Sequence, residues 1–429
     1  MFDLLKKKII SKKFKVGIIG LGYVGLPLAI RYLQSNVSVF GVDEDINKIA
    51  LINKGQSYIK SINSDKLKKL KNNCSSEYSI LERVDVIFIC LPTPLKNLKP
   101  DLSYIEKSMR QLSKIHLKNK VIILESTVYP GVTRKFAKKI FEKSNFKIGI
   151  DLFIGYSPER ENPGDKNFSY KKTPKIVSGY TNNCLVLTSL SYESIANKIV
   201  KAKNIETAEA SKLLENIYRA VNIGMINEMK IICDNLSLDI HEIIRCAETK
   251  NFGFQAFYPG PGWGGHCIPV DPFYLSWISN QKGYDPRFIK NSGFINNKMP
   301  HWILKKVFKF FKNTKKTKPK ILLLGISYKK NIDDDRESPA HQFIKILQKK
   351  NIYYDYSDPY FPSLRLGRNI KKNKKCLIIN KSNLKKYDCA IIITDHDKFD
   401  YSSILKYSKM IFDTRGVYKK KTYKNVIQC

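Results

Sequence analysis

The feature that most constrains the fold is a glycine-rich run at residues 20–25, which reads GLGYVG. An apolar stretch at residues 15–19 precedes it with the composition of a β-strand, and residues 26–34 follow it with the spacing of a helix. A second strand-like stretch comes at residues 37–42. Glycines at the spacing G-x-G-x-x-G between a strand and a helix are typical of a βαβ unit that binds a dinucleotide. The sequence therefore predicts such a unit near the start of the chain.

The glycines of this run suit close contact with a pyrophosphate. Gly20, Gly22 and Gly25 permit a tight turn, a close backbone approach to the ligand, and close packing of helix on strand. Asp43 follows the second strand, where a carboxylate accepts hydrogen bonds from both ribose hydroxyls and repels a 2′-phosphate. NAD is therefore the predicted cofactor, in preference to NADP. The alternative is a glycine turn with a purely structural role.

The rest of the chain divides into strand-and-helix ends and a helical middle. Alternating strands and helices predict a largely parallel sheet. From residue 206 to 236 apolar side chains recur at helical spacing without a strand, which predicts one long central helix. Helical spacing continues to about residue 249 and returns by residues 299–311, on either side of a Gly/Pro-rich loop at 258–272. The remaining strands are expected at residues 84–90, 121–124, 151–154, 321–325, 390–393 and 410–413.

These segments define the predicted fold class. A chain of 429 residues with 43% hydrophobic residues is too long for one ordinary compact domain and can bury two or three cores. We predict an α/β protein in which two Rossmann-like domains are joined by a long central helix and a helical middle domain. The predicted boundaries are 1–205, 206–311 and 312–429, the last domain starting with a basic linker at 312–320.

Charge and cysteine content bear on partners and location. The formal charge of +38 raises the alternative of a nucleic-acid partner, but lysines are spread along the chain and do not form one basic segment. The chain has no secretory signal pattern and no apolar run of membrane-spanning length, which predicts a cytosolic protein without a transmembrane segment. Nine cysteines without paired spacing favour reduced thiols over a disulfide framework or a metal site.

One of these cysteines, Cys267, lies in the most informative stretch of the chain. The sequence of residues 259–272, PGPGWGGHCIPVDP, is typical of a shaped loop that lets a ligand approach the backbone. Cys267 next to His266 is a candidate for an activated thiolate, because a nearby positive charge or donor lowers the pKa of a thiol. From local chemistry alone, a buried structural cysteine is the alternative.

This loop and the glycine run together resemble the UDP-glucose/GDP-mannose dehydrogenase family over nearly the whole chain. The sequence of residues 264–275, GGHCIPVDPFYL, resembles the UDP-N-acetylglucosamine 6-dehydrogenase branch of that family. The UDP-glucose branch differs in the residues that flank the cysteine, where this chain has His266 and Ile268-Pro269. Six further motifs match in order: ESTV at 125–128, YSPER at 156–160, KLLEN at 212–216, YKK at 328–330, DRES at 335–338 and DTRG at 413–416.

The resemblance implies a two-step oxidation of the sugar C6 alcohol to a carboxylate, with two NAD molecules used in turn. Cys267 would capture the aldehyde as a thiohemiacetal, and a thioester would follow. Lys212 and Asn216, four residues apart on the predicted helix, would stabilise negative charge on the C6 oxygen. Asp271 would act as a base through a water molecule, and Glu159 and Thr127 would assist thioester hydrolysis. Without the resemblance, Lys212 would be interpreted as a solvated lysine.

The resemblance also implies the residues that bind the ligands, and it assigns the first domain to NAD, the central domain to dimerisation and the catalytic loop, and the last domain to the UDP-sugar. It implies no metal. The expected cofactor contacts are Gly20, Gly22, Tyr23, Val24, Gly25, Asp43, Thr93, Thr127 and Arg336. The expected substrate contacts are Glu159, Arg160, Lys212, Asn216, Tyr258, Gly264, Lys330 and Arg415.

Three hypotheses about function follow. The first is oxidation of UDP-N-acetylglucosamine by a homodimer for surface polysaccharide or O-antigen synthesis. The second is the same chemistry on UDP-glucose, UDP-N-acetylgalactosamine or UDP-N-acetylmannosamine. The third, suggested by the charge, is a non-catalytic protein that binds NAD or nucleic acid.

Overall fold

The computed structural model describes residues 1–59, 62–160, 173–265, 267–365, 373–419 and 421–429. Within these residues the chain forms two compact units: Met1–Glu215 with Trp277–Lys282, and Asn216–Ser276 with Gly283–Cys429. No helix in the described ranges is both long and apolar enough to cross a membrane. The predicted three-domain division stays a prediction.

The first unit is built on a sheet of eight strands in the order β10-β9-β8-β7-β4-β1-β2-β3. Every neighbouring pair in it is parallel except β8 and β9. The elements are α1 (Phe2–Ile10), β1 (Lys15–Ile19), α2 (Gly25–Gln34), β2 (Ser38–Val42), α3 (Ile46–Asn53), β3 (Cys74–Ser75), β4 (Val86–Ile89), β5 (Leu95–Lys96), β6 (Lys99–Pro100), α4 (Ser103–Leu112), β7 (Lys120–Leu124), α5 (Val132–Phe136), β8 (Leu152–Tyr156), β9 (Lys175–Gly179), α6 (Asn182–Glu193), β10 (Ile199–Lys201) and α7 (Ile205–Asn235).

Both faces of this sheet are covered by apolar layers, as expected where helices pack on a parallel sheet. In β1, Val16 and Ile18 belong to one buried layer and Ile19 to the other. The strand order reverses next to β1, whose neighbours are β2 and β4. Ligands of open α/β sheets bind at the carboxyl ends of strands at such a switch point, and the glycine run follows β1 at that end.

The second unit contains a parallel sheet of five strands in the order β12-β11-β15-β16-β17. Helix α7 enters it from the first unit, and α9 begins at Asp271, inside the segment expected to be loop. Helix α10 starts at Arg287, before the expected start, and contains Pro300. The elements are α8 (Ile240–Ala247), α9 (Asp271–Gln281), α10 (Arg287–Asn313), β11 (Ile321–Leu324), α11 (Pro339–Lys349), β12 (Tyr354–Ser357), β13 (Ser363–Arg365), β14 (Asn373–Lys375), α12 (Lys381–Lys385), β15 (Cys389–Ile392), α13 (Tyr401–Tyr407), β16 (Ile411–Asp413) and β17 (Val426–Gln428).

Candidate active site

The glycine run forms a tight turn between β1 and α2. Gly20 adopts a left-handed φ of 86°, which favours glycine, and its N–H donates to the carbonyl of Val42 at 2.7 Å. A Cβ on Gly25 would lie 1.9 Å from the carbonyl oxygen of Gly20, so only glycine lets the helix start this close to the strand. A Cβ on Gly22 would meet nothing within 4 Å. The turn therefore leaves open the space that a bound pyrophosphate needs, and the residues present fit NAD.

Asp43 stands at the carboxyl end of β2 beside this turn, and its exposed fraction is 8%. One carboxylate oxygen accepts the N–H of Leu21 at 2.8 Å, and the other accepts the N–H of Asp45 at 3.0 Å. The Lys48 ammonium lies 3.6 Å away. These contacts fix the carboxylate where the predicted hydrogen bonds to ribose would form.

The other predicted cofactor residues of this unit fall into two places. Tyr23 and Val24 lie in the glycine turn and are partly buried against the core. Thr93 follows β4, and its hydroxyl donates to the carbonyl of Thr127 at 2.9 Å. The structure thus brings Thr93 and Thr127 together across two neighbouring strands.

Lys212 of α7 pairs with Glu159, which follows β8. The ammonium nitrogen and carboxylate oxygen are 3.6 Å apart, and the side chains are 7% and 13% exposed. The adjacent Arg160 pairs with Glu215 of the same helix at 2.7 Å. Two consecutive predicted site residues are therefore held against α7, and a lysine with this burial is not part of a solvated helix face.

Sequence reasoning missed one buried carboxylate on α7. Glu209, whose exposed fraction is 0%, accepts hydrogen bonds from the backbone of Gly131 and from Thr133. Burial raises its pKa to about 7, although those donors act in the opposite direction. A glutamate on an amphipathic helix gives no local sign of such a partner.

In the second unit, Cys267 and Asp271 are linked through the first turn of α9. The carbonyl of Cys267 accepts the N–H of Val270 at 3.1 Å and that of Asp271 at 2.8 Å. The Asp271 carboxylate, 2% exposed, accepts the Asn216 amide at 2.6 Å. The structure thus joins the cysteine loop, the predicted base and an amide of α7 in one cluster. His266 lies outside the described residues.

The glycines before the cysteine pack against Tyr328, which sequence reasoning did not single out by itself. A Cβ on Gly264 would lie 2.6 Å from the Cβ of Tyr328, and one on Gly265 would lie 2.8 Å from its ring. The N–H of Gly265 donates to the carbonyl of Arg336 at 2.9 Å. Burial raises the pKa of Tyr328 to about 12. The segment after β11 therefore fixes the loop that carries Cys267.

Two predicted substrate residues lie in or beside the start of the same loop: Tyr258 belongs to it, and Arg415, which follows β16, contacts it. The Tyr258 hydroxyl donates to Glu248 at 3.0 Å, and its ring is 47% exposed. The Arg415 guanidinium passes close to Gly260, where a Cβ would come within 2.8 Å of one of its nitrogens. Burial lowers the pKa of Arg415. Glycine at position 260 thus makes room for a desolvated cation beside the loop.

Lys330 and Arg336 both pair with carboxylates. Lys330 lies 3.2 Å from Asp397, and both side chains are more than half exposed. Arg336 makes hydrogen bonds of 2.6 to 3.1 Å with Asp334. A phosphate could replace the exposed carboxylate partner of Lys330 at little cost, because surface ion pairs are weak.

The glycine cradle at a topological switch point, together with Asp43, defines a dinucleotide-binding α/β protein. Comparison with protein families makes this specific. Three family models match in order: the NAD binding domain of the UDP-glucose/GDP-mannose dehydrogenase family at residues 14–196, the central domain at 206–298 and the UDP binding domain at 322–420. The chain belongs to the UDP-glucose/GDP-mannose dehydrogenase family. It is an NAD-dependent nucleotide-sugar dehydrogenase.

Individual relatives agree on the family and differ in their sugars. The chain is 33% identical to Protein CapL of Staphylococcus aureus, over 94% of this chain and 96% of CapL. It is 35% identical to a UDP-N-acetyl-D-glucosamine 6-dehydrogenase of Pseudomonas aeruginosa, over 81% of this chain and 83% of the relative. The solved structure of a UDP-D-ManNAc dehydrogenase from Pyrococcus horikoshii matches with a TM-score of 0.85 at 30% identity, over 96% and 97% of the two chains.

Proposed function

We propose that this enzyme oxidises C6 of UDP-N-acetylglucosamine to a carboxylate through a covalent intermediate on Cys267. The observation that carries the proposal is the cluster of Cys267, Asp271 and Asn216, in which a thiol-bearing loop and a buried carboxylate share one helix start. Two findings support this choice of substrate: the relative from Pseudomonas aeruginosa is named for that sugar, and the sequence of residues 264–275 resembles the same branch of the family.

A second candidate is the same reaction on another UDP-sugar. The Pyrococcus horikoshii structure, named for UDP-D-ManNAc, favours the mannosamine substrate. UDP-glucose and UDP-N-acetylgalactosamine complete the set of alternatives. Such sugars differ in one hydroxyl or acetamido group, and a site built to hydrogen-bond one of them rejects an analogue that leaves its groups unpaired.

The chemistry that NAD supplies when bound is hydride acceptance, twice in one reaction cycle, from the carbon at C6. The Cys267 sulfur attacks the C6 aldehyde, so that a C–S bond forms and the carbonyl π electrons move to oxygen. This thiohemiacetal keeps the aldehyde on the protein between the two oxidations. After the second oxidation the thioester is cleaved by water, which releases the carboxylate and returns the thiol.

The polar residues are proposed to stabilise negative charge on the substrate and to transfer protons. Lys212 and Asn216 donate to the C6 oxygen and stabilise its developing negative charge. Asp271 removes a proton from the alcohol through a water molecule. Glu159, held by Lys212, and Thr127 orient the water that hydrolyses the thioester.

The remaining predicted residues are proposed to bind the two ligands. The glycine cradle, Tyr23, Val24, Asp43, Thr93 and Thr127 hold NAD, with Arg336 near it. Basic side chains suit a diphosphate, since they donate charge-assisted hydrogen bonds to its oxygens. The proposed substrate contacts beyond the reacting centre are Arg160, Tyr258, Gly264, Lys330 and Arg415.

A substrate panel tests the proposal. Purified protein with UDP-N-acetylglucosamine and NAD should form about two NADH per sugar consumed, as a four-electron oxidation requires. Cys267→Ser should lose formation of the acid while it still binds NAD. Preference for another UDP-sugar would move the assignment to the second candidate. No NADH with any UDP-sugar would contradict the proposal, and indifference to Cys267→Ser would contradict the covalent step.

We also propose a homodimer that forms through α7. Exposed apolar side chains follow one stripe of this helix and its end at spacings of three, four and seven residues: Leu214, Tyr218, Met225, Met229, Ile232 and Leu236. A contiguous stripe of this kind is typical of a helix that packs against another. Met225→Glu should convert the dimer to a monomer in light scattering, whereas Leu4→Glu, at an exposed apolar residue of α1, should not.

The cytosol is the proposed location, because the proposed nucleophile must be a reduced thiol and cytosolic thiols stay reduced. None of the nine cysteines, each within the described ranges, forms a disulfide. The acid product suits a later step in which a glycosyltransferase adds the uronic acid to a surface polysaccharide or O-antigen. An enzyme found only outside the cytosol in fractionated cells would contradict this location.

A further inference from the structure

Glu209 of α7 binds the backbone of a segment that is distant in sequence. One of its oxygens accepts the N–H of Gly131 at 2.5 Å. The other accepts the N–H of Thr133 at 2.9 Å and its hydroxyl at 2.7 Å. Glu209 and Thr133 are each 0% exposed. A single carboxylate therefore fixes the start of α5 against the helix that carries Lys212.

The segment so fixed contains Thr127. At its other end the hydroxyl of Thr93 donates to the carbonyl of Thr127 at 2.9 Å. Thr127 is half-buried, whereas Val128 beside it is fully buried. Residues 127–133 are thus held at both ends, by Thr93 after β4 and by Glu209 on α7. The contact with Glu209 relates Thr127 to Lys212, one helical turn further along α7.

A second link between α7 and α5 is of a different kind. Glu206 pairs with Arg134 at 2.6 Å, and the two side chains are 34% and 40% exposed. Arg134 also lies over the ring of Tyr180, 4.7 Å from its centroid. This pair joins two side chains near the surface and does not bind the backbone of the segment that contains Thr127. It supplies a matched comparison on the same two helices.

A buried carboxylate is a costly way to join two helices. Taking it out of water opposes ionisation, and the nearest like charge, Glu206, adds to that effect. Arg134, which pairs with Glu206, and Tyr129, whose pKa is raised by burial and by the charge of Glu209, also lie near this contact. The two N–H groups need a side chain with two acceptor atoms. A glutamine has only one, and its NH₂ group would point a donor at the other N–H group. The site therefore requires the carboxylate for geometry.

We propose that Glu209 is a positioning residue: it sets the place of the Thr127 hydroxyl relative to Lys212. This inference rests on the proposed function, in which Thr127 and Glu159 orient the hydrolytic water and Lys212 pairs with Glu159. Loss of the contact lets the segment 127–133 shift and slows thioester hydrolysis. The first oxidation, which does not need that water, proceeds.

Glu209→Gln tests the proposal. We expect kcat to fall about ten- to a hundredfold, since a displacement of about 1 Å costs that much, while the KM for the sugar stays within about twofold. The KM for NAD should rise by a smaller factor than kcat falls, because Thr127 is also proposed to contact NAD. Quenched reactions should show a burst of NADH and sugar bound to Cys267 in intact-mass spectra. Thr133→Val, which removes one hydroxyl donor, should give a smaller fall of the same kind. Glu206→Gln, the matched control, should keep kcat within about twofold.

The melting temperature separates positioning from support of the fold. Because glutamine leaves one buried N–H group facing a donor, Glu209→Gln should melt below the wild-type temperature, but at pH 8 it should stay fully folded at the assay temperature while its kcat is reduced. An unchanged kcat in Glu209→Gln would overturn this inference, and so would a loss of kcat that only follows the fraction of unfolded protein. In either case, turnover by the wild type would still support the proposed function. A wild type that forms no NADH with any UDP-sugar would overturn both. If Glu209→Gln folds poorly, Thr133→Val alone decides by the presence or absence of the burst.

Discussion

The eight-stranded sheet and the five-stranded sheet have the same backbone turn after their first strand. In each, a glycine in the left-handed conformation follows the first strand, with φ of 86° at Gly20 and 90° at Gly325. In each, a carboxylate after the second strand accepts the N–H of the residue that follows this glycine, at 2.8 Å for Asp43 and 2.6 Å for Asp358. The two sheets also share the strand order around this turn, since β1 lies between β2 and β4 and β11 lies between β12 and β15.

The two turns then diverge. In the first unit α2 begins at Gly25, so its N–H groups stand beside the turn, but in the second α11 begins only at Pro339. Asp358 also binds His396, whose nitrogen lies 3.0 Å away, and neither side chain is exposed. The carboxylate of the second sheet is thus used internally, whereas Asp43 borders an open cradle. A glycine turn and an acidic residue do not make a dinucleotide site unless a helix start and free space accompany them.

The largest effect should come from filling the open space of the first turn. Gly22→Ala places a methyl group where the pyrophosphate approaches and should weaken NAD binding about a hundredfold, with little change in melting temperature. Calorimetric titration with NAD and thermal denaturation measure both quantities.

The matched change in the second sheet should act on the fold alone. Gly325→Ala forces a side chain into a left-handed conformation, 2.5 Å from the Cβ of Thr394. We expect a loss of about 1–3 kcal/mol of stability and unchanged NAD affinity. A fall in NAD affinity in Gly325→Ala, or its absence in Gly22→Ala, would break the contrast between the two turns.

The next effect concerns the segment between β11 and α11, residues 325–338. In the second sheet this segment follows the glycine turn, where α2 begins in the first sheet. Gly264→Ala would drive a methyl group into Tyr328 and displace the loop of Cys267. Overpacking of this kind should lower kcat about thirtyfold through misplacement of the thiol, without a change in NAD affinity. Alkylation of Cys267, with Cys267→Ser as the control, reports the loop directly. Normal alkylation and normal kcat would contradict a positioning role for this segment.

A smaller effect should follow from removing the open carboxylate. Asp43→Ser should lower kcat/KM for NAD about tenfold and narrow the preference for NAD over NADP, because no charge then repels a 2′-phosphate. Asp358→Ser should leave both coenzyme constants unchanged and lower the melting temperature. Equal effects of the two substitutions on NADP use would show that the turns do not differ in the way proposed.

The sequence predicted what local periodicity encodes. The strand at Lys15–Ile19 and the central helix, expected at 206–236 and found at Ile205–Asn235, depend on patterns within one element. Helix α1 went unpredicted, because only Leu5 and Ile9 of its residues are buried and its lysines obscure the pattern. A helix start at Asp271 was hidden within a run of Gly and Pro.

Contacts between distant residues were beyond sequence reasoning. Asn216 and Asp271 were each predicted from the family resemblance, but their hydrogen bond joins residues 55 positions apart. Glu209 is 78 positions from Gly131, and no local pattern distinguishes it from a solvated glutamate. Asp358 likewise looks like Asp43 in sequence, since each directly follows a strand, and only the position of His396 shows that its carboxylate is already bound. Tertiary partners, not residue types, decide which acidic side chains remain available to a ligand.

The smallest effect should appear in how the free energy of unfolding depends on pH through the Asp358–His396 pair. Burial raises the pKa of Asp358, but the hydrogen bonds from His396 and from the N–H groups of Ile326 and Tyr360 outweigh it and leave the pKa below its ordinary value. A lowered pKa in the folded state adds stability above the ordinary pKa, and this stability is lost as pH falls through the folded value. Asp358→Asn should therefore be less stable than the wild type by about 1 kcal/mol at pH 7, and the gap should narrow as the pH falls below the ordinary pKa of a carboxyl group. Urea unfolding at pH 7 and below that pKa measures the gap, and a gap that stays constant would show that the Asp358 carboxylate gains nothing from His396.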